Sequence, residues 1–138
     1  MSRDFHISIV PRAERQTAST GSKWEPKMGY SRAIRSGNVI AVSGTVGINP
    51  DGSYSPSLAD QTRRSLTIIR AAIESLGGKI ENVTRTRMYV TDISKWEEVA
   101  LVHGEIFGEI RPVTSLLEIA RLIDPDAQIE IEVDAIVG

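Results

Sequence analysis

Between Ser57 and Gly78 the apolar residues Leu66, Ile69, Ile73 and Leu76 return at helical spacing, and no other stretch restricts the fold as much. Ser57 is placed to cap the start, Asp60 falls in the first turn, and Gly77-Gly78 closes the segment. A helix of roughly twenty residues presents one apolar face about 30 Å long, and that face must be covered by a sheet or by other helices.

The flanking segments supply the sheet. Residues 30–35 and 39–46 read as two strands joined at Ser36-Gly37-Asn38, and a turn follows at Asn49-Pro50-Asp51-Gly52. Residues 83–91 are β-branched and aromatic, which predicts a strand. Ser94-Lys95-Trp96-Glu97 then has the form of a capping box and predicts a second helix with Trp96, Val99, Ala100, His103, Ile106 and Phe107 inward and Gly108 at its end. Residues 113–121 and 129–137 are two further strands around a turn at Asp124-Pro125-Asp126. At the other end, Phe5, Ile7 and Ile9 alternate with His6, Ser8 and Val10 in a short strand that Pro11 is expected to end. Residues 12–28 read as a loop, so residues 1–28 form an N-terminal strand and loop arm.

The order β, ββ, α, β, α, ββ predicts an α+β fold: one mixed sheet with two helices packed on one face. The 138 residues suffice for one core and one domain. Sixteen basic and eighteen acidic residues leave a net charge of −2, which argues against a nucleic-acid partner. The absence of cysteine excludes disulfides, thiolate metal ligands and a cysteine nucleophile, and fits a cytoplasmic protein. No apolar run is long enough for a membrane span or a signal peptide, so neither is expected. His6 and His103 form no metal-binding pattern, and neither metal nor organic cofactor is expected.

Two helices cover one face, so the second face must meet something else. Its pattern is mixed: Arg85 and Arg87 share a face with Val83 and Tyr89, Thr114 and Glu118 share one with Leu116 and Ala120, and Glu130, Glu132 and Asp134 lie opposite Ile129, Ile131 and Val133. Such a face is either solvated with scattered aliphatic side chains or buried against other copies of the chain.

Six short motifs in order resemble one family: Gly29-Tyr30-Ser31, Ser43-Gly44-Thr45, Gln61, Val90-Thr91-Asp92, residues 107–112, and Glu118-Ile119-Ala120-Arg121-Leu122 followed by Ile129-Glu130-Ile131-Glu132. From about Gly29 onward the chain is identified as a member of the RidA (YjgF/YER057c/UK114) family. The resemblance implies a chorismate-mutase-like fold, a homotrimeric barrel built from three sheets, and ligand clefts between subunits. It further implies hydrolysis of enamines and imines to a 2-keto acid and ammonia, with an arginine two residues after a proline holding the substrate carboxylate and a glutamate near the C-terminus handling water.

Pro112-Val113-Thr114 places a threonine where that arginine is expected, and Ala100 stands where the family often has asparagine. A hydroxyl cannot replace a guanidinium as a two-pronged cationic donor. The chain is thus nearest a divergent branch that carries Trp24-Glu25-Pro26 and Gly29-Tyr30-Ser31-Arg32-Ala33. Arg32 and Arg87 are the cations expected to take over the clamp for a small anionic ligand, against the alternative that each is structural. Glu130, or Glu132 in a shifted register, matches the water-handling carboxylate. Glu118 either joins the site or forms an interface ion pair. Tyr30, Gly44, Thr45 and Thr114 complete the expected cleft. His103 is either a core side chain or a ligand contact, and Trp24 either pins its loop or forms an aromatic wall. Three functions follow: an imine or enamine deaminase, a non-catalytic ligand-binding or regulatory trimer, and the endoribonuclease activity often attached to this family.

Overall fold

In a computed structural model that describes residues 6–138, the chain runs β1 (Ser8–Arg12), β2 (Arg15–Ser19), α1 (Trp24–Met28), β3 (Ala33–Ser36), β4 (Val39–Val46), α2 (Leu58–Ser75), β5 (Val83–Val90), α3 (Trp96–Phe107), β6 (Val113–Glu118) and β7 (Ile129–Ile136). Short 3₁₀ turns at Ile80–Asn82 and Ile93–Lys95 precede β5 and α3. The seven strands form one sheet in the order β1-β2-β3-β4-β7-β5-β6. Every neighbouring pair is antiparallel except β5 and β6, so the sheet is mixed as its sequence predicts. Phe5 lies outside the described residues.

Helix α2 begins where Ser57, in extended conformation, accepts a 3.0 Å hydrogen bond from the Asp60 amide. It ends in a left-handed Gly77 (φ 85°), whose amide bonds the Glu74 carbonyl while the Gly78 amide reaches Ile73. Its face, with Leu66, Ile69 and Ile73, packs with Val99, Val102 and Phe107 of α3 onto Ile40, Val42, Met88, Ile129, Ile131 and Val133 of the sheet. Each such aliphatic side chain contributes about 1.5–3 kcal/mol when fully buried, so the two helices hold this face shut.

Two close fits tie the core to the loops. Gln61 is buried in α2 and donates from Nε2 to the carbonyls of Ser55 (2.9 Å) and Asp126 (3.0 Å), while its Oε1 accepts from the Gln128 amide (2.8 Å). Gly47 lies against the same turn of α2, where a Cβ would come within 2.2 Å of the Gln61 carbonyl oxygen.

The structure corrects several expectations. Pro11 does not end the first strand: β1 is an edge strand paired only with β2, where a missing N–H costs no ladder bond on the open side. Residues 12–28 are not a loop. They return as β2 after a two-residue turn at Ala13-Glu14, with Ala13 at φ 57°, and then form α1. The buried Glu25 carboxylate organises that segment, accepting from the Thr20 amide and hydroxyl and the Ser22 amide at 3.2–3.4 Å. The strand expected from residue 30 starts at Ala33.

The capping box at Ser94 does not form. Asp92 caps the preceding 3₁₀ turn instead, accepting from the Ser94 amide and hydroxyl, and α3 starts with Lys95 making no side-chain cap. The stripe of α3 is rotated accordingly: Val99, Val102 and Phe107 are buried, whereas Trp96 is 51% exposed and Ala100 faces out. No helix among the described residues is long and apolar enough to cross a membrane.

The open face of the sheet also differs in reason from its expectation. Its charges pair within the chain: Arg87 bonds Asp134 at 3.2 Å and lies 3.8 Å from Glu132, Arg85 lies 3.8 Å from Asp134, and the Tyr89 hydroxyl donates to Glu132 at 2.7 Å. The same face also exposes aliphatic side chains: Val39 and Ile136 on the paired strands β4 and β7, and Val113 and Leu117 on the edge strand β6.

Candidate functional site

The site is built at one end of β4. The pairing of β4 with β7 slips between Val42 and Thr45, and at this irregularity Gly44 leaves the room in which the Glu130 side chain lies. A Cβ on Gly44 would sit 2.7 Å from the Glu130 carboxyl carbon. Glycine is required here by a close approach and not by its backbone angle.

Arg32 braces the same place from below. It is buried, and its Nη1 donates to the Gly44 carbonyl (2.7 Å) and the Thr45 hydroxyl (2.9 Å), while Nη2 donates to the Tyr30 hydroxyl (3.0 Å). Its guanidinium also stands 5.4 Å from the centre of the Tyr30 ring. Because the Tyr30 oxygen accepts from Arg32, its own proton is left to point elsewhere. The Thr45 hydroxyl in turn donates to the Ser43 carbonyl at 2.7 Å.

Trp24, Tyr30, Arg32, Gly44, Thr45 and Glu130 line one pocket of about 880 Å³. The expected site residues that share it come from α1, the segment before β3, the end of β4 and β7. Glu130 is half-buried and accepts no hydrogen bond from any described residue. Burial pushes its carboxyl above the ordinary range and Glu132 adds to this, while the positive charge of Arg32 opposes both. Glu132 borders the pocket too, but its carboxylate is taken by Tyr89 and Arg87. Of the two registers left open by the sequence, the available carboxyl is therefore that of Glu130.

Three residues of the pocket were not singled out from the sequence: Tyr54, Arg64 and Arg121. Tyr54 is held by a bridge to Ile48, and its phenol is pushed up to about 12 by burial and by the negative charge of Asp124. It keeps its proton at every physiological pH. Arg64 donates to the Ile48 carbonyl at 2.8 Å. The sequence predicts a strand through Arg121, whereas β6 ends at Glu118 and Arg121 borders the pocket.

The other expected residues lie elsewhere. Arg87 is on the open face of the sheet, engaged with Asp134 and Glu132, and borders a different cavity beside the N-terminal hairpin. Glu118 does not share that face; at the end of β6 it accepts from the Ile93 amide at 3.1 Å. Thr114 pairs with Thr86 and so projects to the helix side of the sheet, while Ser115 is the neighbour of Arg87. Its hydroxyl bonds that of Thr86, which also bonds His103 Nε2 at 3.0 Å. The His103 ring packs 4.6 Å from Phe107, and burial pushes its pKa down. Within one subunit, then, neither Thr114 nor His103 reaches the pocket of Glu130. Among the described residues no group of three or more His, Asp or Glu side chains is placed to hold a metal ion.

Comparison with known proteins bears on the family and the fold. The family model described as Endoribonuclease L-PSP matches residues 20–137. A 2-iminobutanoate/2-iminopropanoate deaminase of Escherichia coli K12 is 32% identical over 111 residues, covering 78% of this chain and 86% of that protein. A RutC family protein of Pyrococcus horikoshii is 33% identical over 105 residues, covering 75% and 82%. Among solved structures, a member of the YjgF/YER057c/UK114 family from Mycobacterium tuberculosis is 46% identical with a TM-score of 0.83, covering 89% of this chain and 99% of that one. With nearly the whole described chain matched in sequence and in fold, this protein belongs to the Endoribonuclease L-PSP (YjgF/YER057c/UK114, or RidA) family.

Proposed function

We propose that the chain is a deaminase-type hydrolase that converts a small imine or enamine to its carbonyl compound and ammonia. The observation that carries this reading is the half-buried Glu130 carboxyl, raised in pKa and accepting no hydrogen bond from any described residue, beside the Arg32–Tyr30 pair. In the reaction, Glu130 takes a proton from water as the water oxygen bonds the imine carbon, and the C=N π electrons pass to nitrogen, which takes that proton back from Glu130. The carbinolamine then collapses: its hydroxyl proton passes by way of the Glu130 carboxylate to the amino nitrogen, the C–N bond breaks, ammonia leaves, and a C=O bond forms. Tyr30, with its oxygen already accepting from Arg32, is the hydroxyl donor available to the ligand. The identity to the Escherichia coli 2-iminobutanoate/2-iminopropanoate deaminase supports this chemistry. RNA cleavage is less well supported, because the chain's net charge of −2 supplies no overall field that draws a phosphate backbone.

The reading includes a homotrimer with its ligand in a cleft between subunits. The exposed aliphatic side chains of the open face, Val39 and Ile136 on β4 and β7 and Val113 and Leu117 on β6, support an assembly of copies. Sedimentation at micromolar concentration is expected to give a trimer, and a stable monomer would remove the intersubunit cleft from the reading.

The direct test is ammonia release from freshly generated imines. Turnover supports the deaminase; tight binding of keto acids without turnover would instead make the chain a ligand-binding trimer. Gly44→Ala is expected to force the Glu130 carboxyl from its place and lower turnover by about 100-fold, the scale of a 1 Å misplacement. Its melting temperature should change little, because the displaced atoms are the end of a flexible side chain. An unchanged rate in Gly44→Ala would show that the position of Glu130 does not matter.

A further inference from the structure

The pocket of Glu130 is much larger than the imine of alanine requires. Its volume of about 880 Å³ falls in the range of roughly 300–1,000 Å³ that encloses drug-sized ligands. Glu130, Tyr30 and Thr45 line it, the last two tied together through Arg32. The rim is apolar: Trp24, Met28, Ile48, Ile119 and Ile123 border it. Met28 is 63% exposed and Ile123 70% exposed, so both offer apolar surface for a ligand to cover.

The same rim is positively charged. Arg121 borders the pocket and forms no hydrogen bond or ion pair with any described residue. The Trp24 ring carries Lys23 Nζ at 5.0 Å and Lys27 Nζ at 5.8 Å from its centre. By contrast Arg32 has already spent three of its donor contacts on Gly44, Thr45 and Tyr30.

We infer that the pocket selects 2-imino acids, and the 2-oxo acids derived from them, that carry a bulky apolar side chain, with the side chain against the Trp24–Ile123 rim and the carboxylate on Arg121. This rests on the deaminase reading for the chemistry, while the ligand class rests on the rim alone. A three-carbon imine leaves most of the pocket in water and touches none of the rim, so it gains only the polar contacts. An aromatic side chain removes apolar surface of both partners from water.

The test uses the full-length protein with imines generated by an amino-acid oxidase from alanine, leucine, phenylalanine and tryptophan, beside calorimetric titration with pyruvate and phenylpyruvate. The aromatic imines are expected to exceed the alanine imine in kcat/KM by about tenfold or more, the scale of lost apolar pocket contacts. Phenylpyruvate should bind at least tenfold more tightly than pyruvate. A Met28→Ser, Ile123→Ser double variant should narrow both gaps by lowering the aromatic values, and Arg121→Gln should weaken both oxo acids together.

Preference for the alanine imine, with phenylpyruvate binding no better than pyruvate, overturns the inference and leaves the deaminase reading intact. Tight, rim-dependent binding of phenylpyruvate with no turnover of any imine does the reverse. If neither oxo acid binds, the rim is closed by something other than a ligand and the inference falls.

Discussion

Glu130→Gln is expected to lower imine turnover by at least about 100-fold, within the roughly 10²- to 10⁴-fold usual for a positioned general base, while leaving a folded protein. The amide fits the space beside Gly44 and cannot take a proton from water. In the wild type, burial raises the Glu130 pKa above the ordinary carboxyl value. The reactive form is the carboxylate, so kcat/KM should rise with pH through that raised value and level off above it. Stability runs the other way. A carboxyl whose folded pKa is raised favours the folded state when protonated, and that contribution is lost as pH climbs through the folded pKa. At neutral pH the glutamine variant should therefore be no less stable than the wild type, with its relative advantage disappearing in acid. Rate measurements and thermal melts on the same two proteins check both halves. A glutamine variant as active as wild type would remove Glu130 from the chemistry.

Gly47→Ala is expected to be the most damaging single methyl group in the chain. The new Cβ would stand 2.2 Å from the Gln61 carbonyl oxygen and 2.8 Å from its carbon, and both are helix backbone that cannot swing away. Either the end of β4 or the first turns of α2 must move. Movement of α2 strains the Gln61 side-chain bonds to residues 55, 126 and 128 as well. We expect a loss of at least about 3 kcal/mol, the upper range for overpacking, or roughly 10 °C in Tm for a chain of this size. A melt within two or three degrees of wild type would show that the fit is looser than it looks. The contrast with Gly44→Ala is informative, since the same methyl group there meets only a side-chain end.

The elements written in strong periodic patterns were legible in the sequence. Helix α2, its Ser57 cap, its glycine stop, the β3–β4 turn and strands β5 and β7 all carry local signals that agree with their tertiary surroundings. The N-terminal segment was not legible. Arg15, Gln16 and Thr17 have no apolar alternation, and β2 exists because it pairs with strands on both sides and because Glu25 ties the following residues together. At the second helix two polar residues competed for one role. Asp92 won over Ser94 because its carboxylate takes both the Ser94 amide and hydroxyl, and the rotated start turned Trp96 outward.

Of the site, the motifs carried Tyr30, Gly44, Thr45 and Glu130, together with Trp24 and Arg32 from the divergent stretch before β3. They could not show that Arg32 spends its donors on backbone and tyrosine, nor that Thr114 and Arg87 fall on opposite faces of the sheet. That separation depends on the parallel register of β5 and β6, which no local pattern encodes. Arg121 was hidden by reading a strand three residues too far.

The position of β7 in the sheet bears on how the chain comes to be folded as it is made. It is the last of the seven strands in chain order, yet it stands between β4 and β5 and is the only strand that joins the two halves of the sheet. On the ribosome, β1 to β4 can assemble by hairpins and β5 can take on β6, but the apolar seam between them has no occupant until β7 emerges. Until then α2 has half a surface to rest on. The same strand brings Glu130, so the pocket carboxyl and the closure of the sheet arrive in one late step, and a nascent chain arrested before it would present unpaired edges at β4 and β5 to chaperones and proteases.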